Sequence, residues 1–247
     1  MIDRFAFTAM TGAKHAMGQL ATTTHNMANL QTPGFREMLS TFRAVPIDGA
    51  SADSRTFVVD STPGADWSHG SVTPTGNPLD LAIQDQGMFT VLRADGQEAY
   101  TRSGKFQLDS RGFLTTTTGQ RVLNDQNGFV QIPEGSQNIQ IQANGAVWVT
   151  LQGQLNETAI ARLKLVNPAP QDLERQADGL FTASEALPAS DEVQILQGSL
   201  ESSNVNAAQA MVQMIAQNRL FDLNIRLVQM AEQNSKSAGT LMSLSRV

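Results

Sequence analysis

The chain has 247 residues, 40% hydrophobic and only 16% charged, with a net charge of −6 and a pI near 5.0. That length suffices for one or two domains with a real core. The absence of cysteine excludes disulfides, thiolate metal sites and cysteine nucleophiles. The acidic balance without a basic cluster argues against nucleic acid, and no apolar run reaches the ~18 residues of a membrane span.

The opening "MIDRFAFTAMTGAKHAMGQL" carries Lys14 and His15 where a cleaved leader needs its apolar core. It reads as mature structure, so export would need another route. From Arg4 to Leu30 the period is helical. Ala6, Met10, Ala13, Met17, Leu20, Thr24 and Met27 recur at alternating spacings of four and three, which keeps them on one face. The stripe is soft, built of alanine and methionine, which suits close or irregular packing. Gly12 and Gly18 each cost about 1 kcal/mol of helix propensity. A helix so weakened is marginal alone in water and calls for a partner.

The segment "TTTHNMANLQTPGF" (Thr22–Phe35) ends this pattern. The stretch that follows, Phe35 to Asn77, is rich in Ser, Thr, Pro and Gly. It is too long for an ordinary structureless loop. It reads as an extended arm or as a connector with short strands, for which "TFVV" (Thr56–Val59) is suited.

The middle, Leu79 to Gln197, has strand period. "MFTVL", "KFQL", "NIQIQ", "AVWVTL" and "IARLKLV" alternate or form short apolar runs. Ala94-Asp95-Gly96, Asp109–Gly112, Gln126-Asn127-Gly128, Ala143-Asn144-Gly145 and Ala177-Asp178-Gly179 separate them as turns. The spacing predicts a sandwich-like or barrel-like body with Trp148 in its core. The string "DSRGF" (Asp109–Phe113) lacks the further ligands of a calcium loop and reads as a turn.

From about Asn204 onward the helical period returns. Asn204 or Asn206 caps the start. Val205, Ala208, Val212 and Ile215 keep the rhythm, which resumes with an offset near Asn218 at Leu220, Leu223, Leu227 and Met230. Asn234, Ser237, Leu241 and Leu244 extend it. The two helical ends either close onto their own β body or offer assembly surfaces. Period alone leaves both open.

Chemistry is sparse. His15 and His25, ten residues apart, do not share a helix face, and His69 stands alone in the sequence. The carboxylates Asp80, Asp85, Asp109, Asp125 and Glu134 give no reason to select a catalytic pair. No phosphate-cradling glycine loop occurs. No catalytic, cofactor or metal residue is therefore assigned, and no enzyme is expected.

Three separated stretches share a resemblance. "NMANLQTPGF" (Asn26–Phe35), "YTRSGKFQLDSRGFLTTTTGQRVL" (Tyr100–Leu123) and "LESSNVNAAQAMVQMIAQNRLFDLN" (Leu200–Asn224) resemble the N-terminal, central and C-terminal signatures of the bacterial flagellar rod and hook proteins. The opening residues and "RAVPIDG" (Arg43–Gly49) are most similar to proximal rod members. Distal rod members are the runner-up. They usually carry Tyr at the position of Phe221 and an "AQRAYE"-like run where this chain has "QNRLFD".

The resemblance implies an α+β fold, with N- and C-terminal helices forming a coiled-coil-like assembly core beside a central all-β body. It divides the chain into an assembly helix and joint (1–35), an arm (36–77), a β-rich outer domain (78–199) and a second assembly helix (200–247). It implies a structural, torque-transmitting rod subunit that helps form an axial channel. The implied partners are copies of itself, other rod proteins and the type III export apparatus, with no cleaved leader and no membrane insertion. Interface roles then fall to Ala6, Met10, Ala13, Met17, Leu20 and Met27, and to Val212, Ile215, Leu220, Leu223, Leu227 and Met230. Asn26, Asn29, Asn204 and Asn206 would satisfy backbone groups at the helix ends. Pro33 would stop the first helix, Gly34 permit a sharp turn and Phe35 anchor the arm.

Overall fold

The computed structural model of the chain describes residues 2–40, 42–46, 56–60, 64–153 and 156–244. Part of the second Thr-Pro-Gly string (Thr62–Gly64) and the end of "RAVPIDG" lie outside them, as do the side chains of Leu241 and Leu244. The chain forms two compact units. One comprises Met1–Asn29, Glu37–Asp66 and Val205–Val247, the other Leu30–Arg36 and Trp67–Asn204.

The first unit is a helix pair, α1 (Ile2–Ala28) and α2 (Ala207–Leu244), with two short antiparallel strand pairs. Met38–Leu39 pairs with Gly64–Ala65, and Phe42–Pro46 with Thr56–Asp60. The expected "TFVV" strand is the core of that last one. Asn206 caps α2, its Oδ1 accepting from Ala208 N at 3.0 Å and Gln209 N at 3.2 Å. Thr22, Thr23 and Thr24 each return a hydroxyl proton to the carbonyl four residues earlier. Three successive polar side chains are thereby accommodated on the helix without competing for its amides.

The seam between the helices uses the smaller residues. On α1, Ala9, Ala13, Ala16 and Thr23 are buried, while Ala6, Leu20 and Met27 are half-buried in the same rhythm. On α2, Ala210 and Ala231 are buried, with Met214, Gln217, Phe221, Asn224 and Val228 half-buried between them. This run keeps a four-three spacing throughout, so the offset near Asn218 belongs to the exposed residues and not to the seam. The stripe expected on α1 therefore mixes two faces. Ala6, Ala13, Leu20 and Met27 lie along the buried run, but Ala9, Ala16 and Thr23 replace Met10, Met17 and Thr24. Both sets satisfy the helical period. Alanine wins the seam because a short side chain lets two helix axes approach closely.

The second unit is all antiparallel β. Its main sheet runs in the order Leu173–Arg175, Phe181–Ala183, Glu98–Thr101, Met88–Leu92, Arg121–Val122, Leu114–Thr116, Phe106–Leu108. Leu165–Val166 shares the edge of Met88–Leu92 with Arg121–Val122. A three-stranded sheet follows the order Ser136–Ile141, Ala146–Leu151, Glu157–Arg162. Two further pairs bring Ile195–Gln197 beside Leu81–Ile83, and Ser199–Glu201 beside Val72–Pro74. The core gathers Leu81, Ile83, Phe89, Val91, Val122 and Val147 with their neighbours.

The expected turns share one device. The side-chain oxygens of Asp95, Asp109, Asn124, Asn144 and Asp178 each accept a backbone N–H two residues on. Asp109 also accepts from Phe113 N at 2.8 Å, so "DSRGF" is a turn. The "IARLKLV" run divides between two strands, breaking after Arg162. Trp148 does not enter the core. Val147 and Val149 point inward, and strand alternation turns Trp148 to the other face, where it is half-buried.

Candidate functional site

The Pro33-Gly34-Phe35 segment is held by a buried charge cluster within the second unit. Thr32 O accepts from Phe35 N at 3.2 Å, with Pro33 and Gly34 at the two central positions. Gly34 has φ 67°. Proline followed by a positive-φ glycine is the arrangement of a type II turn. Gly34 is fixed twice over, since a Cβ there would stand 2.4 Å from the carbonyl carbon of Arg102. Pro33 does not stop α1, which ends five residues earlier at Ala28. Asn29 takes that role, its Nδ2 donating to His25 O at 2.9 Å. Proline instead presets the turn, because its fixed φ suits the first central position.

Glu201 lies at the centre. Its backbone carbonyl accepts from Gly34 N at 2.8 Å. Its Oε1 accepts from Arg36 Nη1 at 2.8 Å and Gly70 N at 3.0 Å, and its Oε2 from Arg102 Nε at 2.5 Å. All three charged side chains are buried. Burial alone would raise the Glu201 pKa, but Arg102 and then Arg36 outweigh it and hold the carboxyl below its usual range. Burial also lowers the Arg102 pKa, against the opposing pull of Glu201. Arg102 further donates to Gly87 O and Ile83 O, both at 2.8 Å. One guanidinium thus joins three separate backbone segments.

Phe35 is buried with the guanidinium of Arg175 4.5 Å from its ring centre. The same guanidinium lies 5.6 Å from the Phe181 ring, and Phe181 packs on Trp67 at 5.1 Å. Arg175 Nη1 also donates to Arg36 O at 2.7 Å. Asn204 completes the cluster, donating from its backbone to Phe35 O at 3.3 Å and from Nδ2 to Ser68 O at 3.0 Å.

In the first unit, Asn26 clamps a neighbouring strand. Its Nδ2 donates to Met38 O and its Oδ1 accepts from Met38 N, both at 2.9 Å. A side-chain amide here mimics one rung of a sheet. Gly12 opposes Asn224, whose Oδ1 would be 2.7 Å from a Cβ at that position.

The remaining predicted residues divide by exposure. Ala13 is buried, and Ala6, Leu20 and Met27 are half-buried. Met10, Met17, Val212, Ile215, Leu220, Leu223, Leu227 and Met230 are exposed, with Met17 at 58% and Val212 at 68%. Phe7 and Met211 join them. The helix pair therefore buries alanines, half-buries Leu20, Met27, Met214, Phe221 and Val228, and leaves most of its large apolar side chains outside.

Sequence reasoning did not single out Arg36, Arg102, Arg175 or Glu201. Each of the first two and the last sits in or beside a motif already noted: Arg36 after Phe35, Arg102 in "YTRSG" and Glu201 in "LESSN". Among the described residues, no three His, Asp or Glu side chains gather as a metal cluster, and no helix is long and apolar enough to cross a membrane.

Residues 82–149 match the flagellar hook protein FlgE/F/G D1 domain, and residues 196–241 match the flagellar basal body rod FlgEFG protein C-terminal region. The flagellar basal-body rod protein FlgF of Escherichia coli (strain K12) is 39% identical over 254 positions, spanning 99% of this chain and 100% of that protein. The chain belongs to the flagellar basal-body rod protein family. FlgF of Salmonella typhimurium shares the same 39% over 254 positions, again 99% of this chain and all of the relative. FlgG of Caulobacter vibrioides is 30% identical over 261 positions, 96% of this chain and 98% of that protein. A flagellar rod protein of this kind is a structural, torque-transmitting subunit. Glu201 and the start of α2 fall inside the matched C-terminal region, and Arg102 inside the matched D1 region.

Proposed function

We propose that this rod protein is a subunit of the proximal rod, and that its terminal helices build the rod by packing against helices of adjacent subunits around an axial export channel. The observation that carries the reading is the outward placement of Met10, Met17, Val212, Ile215, Leu220, Leu223, Leu227 and Met230. Burying each such side chain contributes about 1.5–3 kcal/mol. The seam of α1 and α2 buries mainly alanines and only half-buries Leu20, Met27, Met214, Phe221 and Val228, so it offers less. Most of the available apolar burial thus waits for neighbouring chains.

Contacts between unlike surfaces of successive copies do not close on themselves and extend as a helical tube. The partners are copies of this chain and other rod proteins. The chain reaches the rod through the type III export apparatus. The 39% identity to two FlgF relatives, each alignment spanning 99% of this chain, supports the proximal reading.

The test replaces Leu223 by Asp in the full-length chain and follows its incorporation into isolated basal bodies. The variant should be exported and folded but absent from the rod. Normal incorporation would refute the assignment of this face.

A further inference from the structure

We propose that the exposed stripe of α1 in one copy packs on the exposed stripe of α2 in the next, antiparallel and in a single register, so that helix pairs stack head to tail. This names the occupant of the outward face and rests on the assembly reading above.

The seam fixes the direction of the two helices. Gly12 faces Asn224 across it. On α2 the covered side runs from Ala210 to Ala231, and Glu232 to Ser237 are exposed. A parallel α1 would set its buried Thr23 beside that exposed tail, so the helices run antiparallel. From the Gly12 contact, Ala9 comes level with Val228, Ala16 with Phe221 and Thr23 with Met214.

The exposed stripes adjoin this seam in sequence. Met10 and Met17 each follow a seam alanine of α1 by one residue, whereas Leu220 and Leu227 immediately precede Phe221 and Val228. One residue is a turn of about 100° around a helix. Because the helices are antiparallel, a step forward on α1 and a step back on α2 rotate in the same sense, seen down the pair. The two stripes therefore emerge on opposite sides of it. A pair whose seam is closed cannot bring its own stripes together, but successive copies can.

The stripes also match level for level. In the register of the seam, Met10 meets Leu227, Met17 meets Leu220, and the exposed Ala21 meets the exposed Ala216. Lys14 falls opposite Leu223, where its methylenes can cover the leucine while the ammonium stays at the rim. Two α2 stripes could also meet, but that contact is its own complement. It closes as a dimer and leaves the α1 stripe bare, whereas the unlike pairing covers both stripes and continues.

The experiment compares Met17→Glu and Leu220→Lys, singly and together, in the full-length chain for incorporation into isolated basal bodies. Each single change puts an unanswered charge into the contact and should lower incorporation at least about tenfold. In the double variant every junction between copies carries one charge of each sign at the same level, and incorporation should return to within about twofold of wild type. Met10→Glu with Leu220→Lys sets the charges about two helical turns apart and should not recover. Loss in both single variants without recovery in the double overturns this pairing and leaves the assembly reading standing. Equal recovery by the displaced pair, or normal incorporation of one single variant, also overturns the pairing. Normal incorporation of both single variants sinks the assembly reading with it. As purified chains both single variants should melt with wild type, since both positions are exposed. Early melting of either would place its side chain in the seam and overturn the assignment of stripes.

Discussion

The carboxylate of Glu201 lies 2.5 Å from Nε of Arg102, ninety-nine residues away in sequence, and both side chains are sealed from solvent. Removing one partner of such a pair strands the other charge. Glu201→Ala should therefore destabilise the second unit by about 3–5 kcal/mol. Denaturant unfolding of the purified chain measures it. A loss within that of an ordinary surface substitution, about 0.5 kcal/mol, would contradict the role given to this cluster.

The same carboxylate makes stability depend on pH. Its folded pKa is lowered, so its contribution is fully present above the unfolded value, near 4.3 for Glu. That contribution is lost as pH falls through the depressed folded value. Melting curves from pH 7 downward should show wild type converging on Glu201→Gln below the ordinary carboxylate range. Parallel curves would argue against ionisation of Glu201 in the folded chain.

Gly34→Ala should cost more than Pro33→Ala. Alanine at φ 67° carries about 1–2 kcal/mol of backbone strain, and its Cβ also meets the Arg102 carbonyl. Losing the proline only frees the unfolded chain, about 0.4–1 kcal/mol. Thermal melts of the two variants decide the order.

Gly12 and Asn224 should show coupled energetics. Gly12→Ala alone gains about 1 kcal/mol of helix propensity but forces the Asn224 side chain aside. In an Asn224→Ala background the gain should be realised in full. A double-mutant cycle with no coupling would show that the two residues do not oppose each other across the seam.

Seam and exterior should respond oppositely to charge. Met17→Asp should leave the folded monomer within about 0.5 kcal/mol of wild type, because the side chain is already wet. Ala16, 1% exposed, has no room for a carboxylate, and Ala16→Asp should lose the helix-pair circular dichroism signal at a lower temperature. Equal melting of the two variants would reverse the assignment of faces.

Period and turn chemistry made much of the fold legible. The short strings around Asp95, Asp109 and Asn144 announced their turns because the signal is local. Asn206 was readable as a helix cap for the same reason, whereas the roles of Asn26 and Asn29 were implied only by the family resemblance, and the strand that Asn26 clamps was not foreseen. The helix seam was harder. Residues spaced three and four apart fit either Ala9–Ala16 or Met10–Met17, and hydrophobicity selects the methionines. In this chain the larger side chains face outward, so the usual preference misleads. Trp148 failed similarly, since alternation fixes which neighbours share a face but not which face is inside. The Glu201 cluster depends on residues 36, 70, 102 and 201 meeting in space, and no local pattern encodes that meeting.

Three distant stretches converge on one acidic side chain late in the sequence. A ribosome-bound intermediate that stops short of residue 201 leaves two guanidiniums hydrated and the Gly34 amide without its carbonyl. Closure of the β unit is thus withheld until its last strand has been made, and a truncated product lacks the latch that would let it pass as a finished part.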